Sequence, residues 1–302
     1  MPSGAAAGLS VLIPVYQRAV GELVRALLVQ AADWPGPVEI LVFDDGSAEE
    51  SRFLNRPLSE ITGVHYRELP QNVGRATIRN QLAAAAQHEW LLLLDNDSLL
   101  PDARFLERYA AARDGADVFI GGTSYETASP TDPALRLRWL YGQAREARPA
   151  AVRQATPYAQ LTVNNALIRA DVFRQFALDE RLSGYGHEDT KFGAQLAATG
   201  ISVLHLDNPV IHDGLEPAAV FLAKSEQAVR NLARVYRENG LDTDSRLLQT
   251  ALRIRRLGAA PLARLVLGTA APALRRQLLS KQPNLQAFDL LKLHWLLREL
   301  AA

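Results

Sequence analysis

From residue 10 to residue 122 the chain alternates short apolar runs with stretches of helix formers, and few folds accommodate that pattern. Residues 10–16 (SVLIPVY) form a β-branched run interrupted by a proline and read as a first buried strand. Residues 21–32 (GELVRALLVQAA) have helical spacing. Residues 38–43 (VEILVF) read as a second strand, 64–67 as a weaker third, 90–94 as a fourth and 118–122 as a further one. The intervening segments 74–87 and 101–113 read as helices, the second stopped by Gly115. Strands alternating with helices imply a mostly parallel sheet covered on both faces. Such sheets bind ligands outside the carboxyl ends of their strands.

Acids stand at just those ends. Four leucines run into Asp95-Asn96-Asp97, and the second strand closes on Asp44-Asp45-Gly46-Ser47. Two carboxylates one residue apart on one side of the chain suit a hard divalent cation that takes phosphates and waters as its other ligands. A bare D-x-D is more often a solvated strand end, here with Ser98 as a helix cap, and Asp-Asp-Gly-Ser on its own reads as a turn with a cap. Ser47 with Glu50 fits a capping box. A third acid pair, Glu188-Asp189, opens another helix, where acids complement the helix dipole. Three such clusters in one α/β unit favour function over coincidence. His212, just after the last strand, reads equally as a further metal ligand or as a hydrogen-bonded loop histidine. His205, inside that strand, reads as structural.

The ordered motifs VLIPVYQR (11–18), VFDDGS (42–47), NVGRATIRN (72–80), LLLLDND (91–97) and GYGHEDTKFG (184–193) resemble the family 2 glycosyltransferases over about residues 9–240. The fifth includes a galactosyltransferase-type GxGxED form at 184–189. The resemblance implies an α/β GT-A (Rossmann-like) fold: a mostly parallel sheet flanked by helices, with a C-terminal helical extension. It implies a glycosyltransferase domain over 1–240, with a nucleotide-binding half at 9–122 and an acceptor half at 123–216, and a basic helical extension over 241–302.

The activity implied is inverting transfer from a nucleotide-sugar, a UDP-sugar first, to a hydroxyl of a glycan or lipid-linked acceptor. By the same resemblance Pro14, Val15, Tyr16, Arg18, Asp44, Asp45, Asn72, Gly74, Arg79, Asp95 and Asn96 face the nucleotide-sugar. Asp97, Asp95 and His212 hold Mn²⁺ or Mg²⁺. Asp189 is the base and Glu188 holds a sugar, with the reverse assignment open. Asn165 with its neighbour Asn164, Tyr185, Gly186 and His187 meet donor or acceptor sugar, although strand-end asparagines are also common turn formers; Tyr185 stands where the family often has tryptophan. The chemistry fits: inversion needs a base for the acceptor hydroxyl and stabilisation of a departing diphosphate.

The 302 residues carry no net charge, which argues against nucleic acid as a partner. The zero hides an asymmetry: residues 251–302 hold nine Lys/Arg and two acids, a net +7 against −7 in the rest. The segments 217–238, 243–257, 261–279 and 285–300 read as helices. The last two have apolar stripes interrupted by cations. They suit an anionic membrane surface, or packing on the catalytic domain or in a homodimer. The absence of cysteine excludes disulfides, thiolate metal sites and cysteine nucleophiles, and is compatible with the cytosol. No signal peptide and no run long enough to span a bilayer are expected. Two rival readings are a silent nucleotide- or sugar-binding protein and a nucleotidyltransferase. The second would need a glycine-rich phosphate loop where this chain has Pro-Val-Tyr-Gln-Arg.

Overall fold

The computed structural model describes residues 7–181, 188–239 and 245–301. In chain order its strands are β1 (Leu9–Val15), β2 (Val38–Asp44), β3 (Val64–Glu68), β4 (Trp90–Leu94), β5 (Ser98–Leu99), β6 (Val118–Ile120), β7 (Thr123–Ser124), β8 (Asn165–Arg169), β9 (Val203–His205) and β10 (Val210–His212). The helices are α1 (Gly21–Gln30), α2 (Glu49–Asn55), α3 (Arg75–Ala85), α4 (Phe105–Ala112), α5 (Arg136–Tyr141), α6 (Ala150–Gln154), α7 (Ala170–Phe176), α8 (Glu188–Thr199), α9 (Ala218–Asn239), α10 (Arg246–Arg256), α11 (Ala260–Leu278) and α12 (Leu285–Glu299).

Seven strands pair in the order β3-β2-β1-β4-β8-β6-β9. β3, β2, β1 and β4 run parallel, β8 runs antiparallel to both β4 and β6, and β9 is parallel to β6. The sheet is therefore mostly parallel and flanked by helices, as the alternation requires.

The leucine run of β4 shows why a central strand must be apolar throughout. Side chains alternate between faces, so Leu91 and Leu93 enter one core with Ile78 and Leu82 of α3 and Phe192 of α8. Leu92 and Leu94 enter the other with Leu23 and Leu27 of α1 and Phe105 and Tyr109 of α4. Both faces being covered, no position of the strand can be polar without leaving a buried group unpaired.

The second sheet, in the order β5-β10-β7, is made of two- and three-residue strands that carry no readable period. Its register sets His212 opposite Ser98, beside Asp97. Ser98 is thus a strand residue rather than a helix cap.

A third core gathers Leu137, Phe221, Leu222, Leu248, Phe288, Leu296 and Leu297, so that α9, α10 and α12 pack as one unit with α5. This core runs across residue 240. The expected packing of the C-terminal helices on the catalytic domain is present: Arg136 Nη1 donates to Lys281 O (3.0 Å), and Arg145 meets Asp289 at 2.8 Å.

Candidate active site

Val15 pairs with Asp44 and Leu12 with Leu93, so the acids after β2 and β4 leave the sheet at one edge. At the end of β2 the two carboxylates divide. Asp44 is fully buried; its Oδ1 accepts from Ser47 N (2.7 Å), with Arg52 Nε at 3.5 Å. It shapes the turn and lines neither of the two cavities described below, so its buried carboxylate stands behind the nucleotide position expected of it. Ser47 does not cap α2, whose N-cap is Ala48 without a side-chain bond; its hydroxyl accepts from Gln17 N (2.8 Å). Gly46 sits at φ +73°, and a Cβ there would approach Asn72 N to 2.5 Å, so only glycine lets the two loops close.

Asp45 turns the other way. It accepts from Val73 N (2.6 Å) and Gly74 N (3.2 Å) and lines a cavity of about 110 Å³ with Pro14, Val15, Tyr16 and Asn96. Burial raises its pKa; the two N–H donors oppose that, and Asp44 adds to it. Asn72 and Gly74 border this loop without lining either cavity described here. Arg18 spends its guanidinium on Asp213 (2.5 Å to Oδ2, 2.9 Å to the carbonyl), spanning to the loop after β10.

Arg75 and Arg79 lie four residues apart on α3 and share a face. Arg79 is buried and pairs with Asp95 Oδ1. Arg75 reaches Asp95 Oδ2 at 3.5 Å and Glu188 Oε1 at 3.3 Å. Both Asp95 oxygens thus face guanidinium groups. Asp97 differs. Its Oδ1 lies 3.4 Å from His212 Nδ1, and its carbonyl accepts from Asp213 N (2.8 Å). Burial alone would raise the Asp97 pKa; the hydrogen bond and charge from His212, with Arg18 and Arg75, outweigh it and hold the carboxyl low. A Cβ on Gly214 would collide with the Asp97 carboxylate.

A second cavity, about 300 Å³, is lined by Asp97, His212, Asp189, Asn164, Tyr125, Arg138 and Glu146 among others. It shares Arg75, Asp95 and Asp97 with the smaller one, so the two adjoin at this junction. Asp189 stands on the larger side. Burial first, then the neighbouring Glu188 charge, push its carboxyl up to about 7 against the pull of Arg79 and Arg75. Its Oδ1 is buried without a hydrogen-bond partner among the described residues. A carboxyl poised near neutrality at a cavity wall has the character of a general base.

Asn165 is not at the cavity. It is fully buried, accepting from Tyr109 OH (2.7 Å) and donating to Gly122 O and Asn208 O (2.9 Å each). This corrects the expected sugar contact; its neighbour Asn164 takes the cavity position, one step out of phase. His205 is structural, held between Arg153 (2.6 Å) and Pro157 O (2.9 Å). Tyr185, Gly186 and His187 lie outside the described residues. Arg75 and Tyr125 are cavity residues that motif reading missed. For Arg75 a signal existed: its i,i+4 spacing to Arg79.

The Asp97–His212 pair fits a divalent cation that takes the rest of its shell from phosphates and water, because two side chains suffice for such a site. Among the described residues no group of three His, Asp or Glu gathers as a self-sufficient metal cage.

Solved structures with this fold include S. aureus TarS 1-349, with 18% identity over 95% of this chain and 90% of that chain (TM-score 0.51). The same TarS fragment in complex with UDP-GlcNAc aligns at 16% identity over 97% and 90% (TM-score 0.51). The mannosyltransferase PcManGT of Pyrobaculum calidifontis, in complex with GDP-Man and Mn²⁺, aligns at 17% identity over 90% and 79% (TM-score 0.56). These likenesses place the fold as GT-A. The model of glycosyl transferase family 2 matches residues 10–176, more than half of the sequence and all of the strand-end acids after β2 and β4. On that match the chain belongs to glycosyl transferase family 2 and is a glycosyltransferase.

Proposed function

We propose that this glycosyltransferase moves a sugar from a UDP-sugar, with inversion, to a hydroxyl of an acceptor seated in the larger cavity. The observation that carries this is the junction. A small pocket built on Asp45 opens at Arg75, Asp95 and Asp97 into a polar cavity that holds a carboxyl titrating near 7. Asp45 uses one acceptor site on each oxygen for backbone N–H groups, which leaves lone pairs for a base N–H or a ribose hydroxyl. TarS 1-349 bound to UDP and to UDP-GlcNAc supports the choice of uridine.

In this reading Asp189, deprotonated, takes the acceptor hydroxyl proton while that oxygen attacks the anomeric carbon. The bond from that carbon to the diphosphate breaks on the opposite face. Glu188 and Asp95 hold the Arg75 guanidinium at the junction, where it meets negative charge developing on the leaving group. Asp97 and His212 would hold a divalent cation, which when bound supplies further charge neutralisation to the diphosphate. Arg79 fixes Asp95, and Asn164 and Glu146 offer polar groups to a hydroxyl-rich acceptor.

The test is release of the nucleoside diphosphate from a panel of UDP- and GDP-sugars, with and without Mn²⁺. A UDP-sugar is turned over in the presence of Mn²⁺, and Asp97→Ala abolishes turnover. Turnover of GDP-sugars alone would overturn the uridine assignment, and an unaffected Asp97→Ala would overturn the site.

A further inference from the structure

The stretch from residue 245 to residue 288 holds eight Lys/Arg and not one Asp or Glu. Within it, the α10–α11 corner and the first turns of α11 present Leu257, Leu262, Leu265 and Val266 to solvent at 82%, 64%, 66% and 55% exposure. Positions 262, 265 and 266 follow helical i, i+3, i+4 spacing, so they form one outward face. The opposite side of the same helix is used: Ala263, Leu267, Ala271 and Leu274 pack against the third core. α11 is therefore sandwiched between a satisfied inner face and an outer apolar face that no element of the described fold covers. Arg253, Arg255 and Arg256 precede the apolar corner, and Arg264 sits within it.

We propose that this face docks on an anionic lipid bilayer. Leucine and valine side chains with arginines beside them, in a stretch of chain without an acid, match acyl chains beneath negative headgroups. A second copy joined by a two-fold axis fits poorly, because an isologous contact would set this acid-free patch against itself. A nucleic acid would meet the cations but would desolvate the leucines for no return. No helix among the described residues is long and apolar enough to cross a membrane, so the contact is one of surface seating.

The surface deepens the proposed activity, and rests on it in one respect. Arg138, Arg145 and Glu146 line the larger cavity, and this wall is tied to the C-terminal unit by the Arg136–Lys281 and Arg145–Asp289 contacts. Seating α11 on a bilayer holds the acceptor cavity near the lipid surface, which suits an acceptor whose anchor stays in the membrane.

Flotation of the full chain with phosphatidylcholine vesicles, and with vesicles containing about one-third phosphatidylglycerol, tests the proposal. The chain floats with the anionic vesicles and not with the neutral ones. Leu262→Glu/Leu265→Glu/Val266→Glu and, separately, Arg255→Glu/Arg256→Glu each lower the bound fraction at least tenfold. Both variants keep donor hydrolysis with Mn²⁺ at the wild-type rate, which separates this result from any failure of the catalytic reading. Absence of wild-type flotation, or wild-type flotation by both variants, overturns it. So does a dimer in solution that the triple variant converts to monomer while vesicles bind neither.

Discussion

Replacing Asp189 by asparagine should do two opposite things. The carboxyl titrates at about 7 in the fold and at 3.8 in its unperturbed state, a gap of roughly 3 pH units. At about 1.4 kcal/mol per unit, that gap is worth roughly 4 kcal/mol at most. The sign follows from proton counts. Between pH 4 and 7 the folded chain holds the proton that the unfolded chain has lost. The stability from this group is therefore fully present below about pH 4 and lost as pH rises through about 7. At pH 8 the ionised Asp189 burdens the fold, and asparagine removes the burden. Partial solvation of the cavity and the needs of the new amide cut the gain to about 1–3 kcal/mol. At roughly 2–4 °C per kcal/mol the melting temperature rises by several degrees at pH 8 and by almost nothing at pH 4. Activity moves the other way. Loss of a positioned base costs about 10²–10⁴ in kcat, and the wild-type rate climbs with pH to a plateau above about 7. Calorimetry at the two pH values with a pH–rate profile checks both. A variant that keeps activity within tenfold, or gains no stability at pH 8, refutes the assignment of Asp189 as a buried base.

Other substitutions separate structure from chemistry. Gly214→Ala pushes a methyl into the Asp97 carboxylate and should raise the Mn²⁺ concentration for half-maximal rate about 10–100-fold, read from a metal titration. Asn165→Ala takes the side-chain acceptor from buried Tyr109 OH and a donor from each of Gly122 O and Asn208 O, lowering stability by about 1–3 kcal/mol in urea melts. Asn164→Ala leaves the melt nearly unchanged and lowers kcat/KM. Arg75→Ala should lower kcat about 10²–10³-fold, and Arg75→Lys should recover little, because an ammonium cannot serve two carboxylates and a leaving group in one plane.

The parallel half of the fold was legible because its strands are apolar on both faces and its helices have length. β1, β2 and β4 stand where the runs 10–16, 38–43 and 90–94 predict, and the four C-terminal helices fall within a few residues of their expected bounds. The strand-end acids were legible as a set, because the sheet geometry sends them to one edge. What the sequence concealed depends on contacts distant in the chain. The pairing of His212 with Ser98 rests on strands too short to show a period. Which of Asn164 and Asn165 faces the cavity turns on strand phase, which a run of two asparagines cannot reveal. The pairing of Asp95 with Arg75 and Arg79, 20 and 16 residues earlier, is likewise invisible in the D-x-D motif itself. Ser47 carried the spelling of a capping box but serves Gln17, 30 residues away.

The most direct test of the central claim, that donor and acceptor chambers meet at Arg75, Asp95 and Asp97, is a crystal structure with an intact UDP-sugar and Mn²⁺. In that complex uracil lies against Asp45 and the diphosphate at the junction. The cation lies on Asp97 and His212, and the anomeric carbon opens toward Asp189. A diphosphate bound away from Asp97, or a sugar whose anomeric carbon is shielded from Asp189, would contradict it.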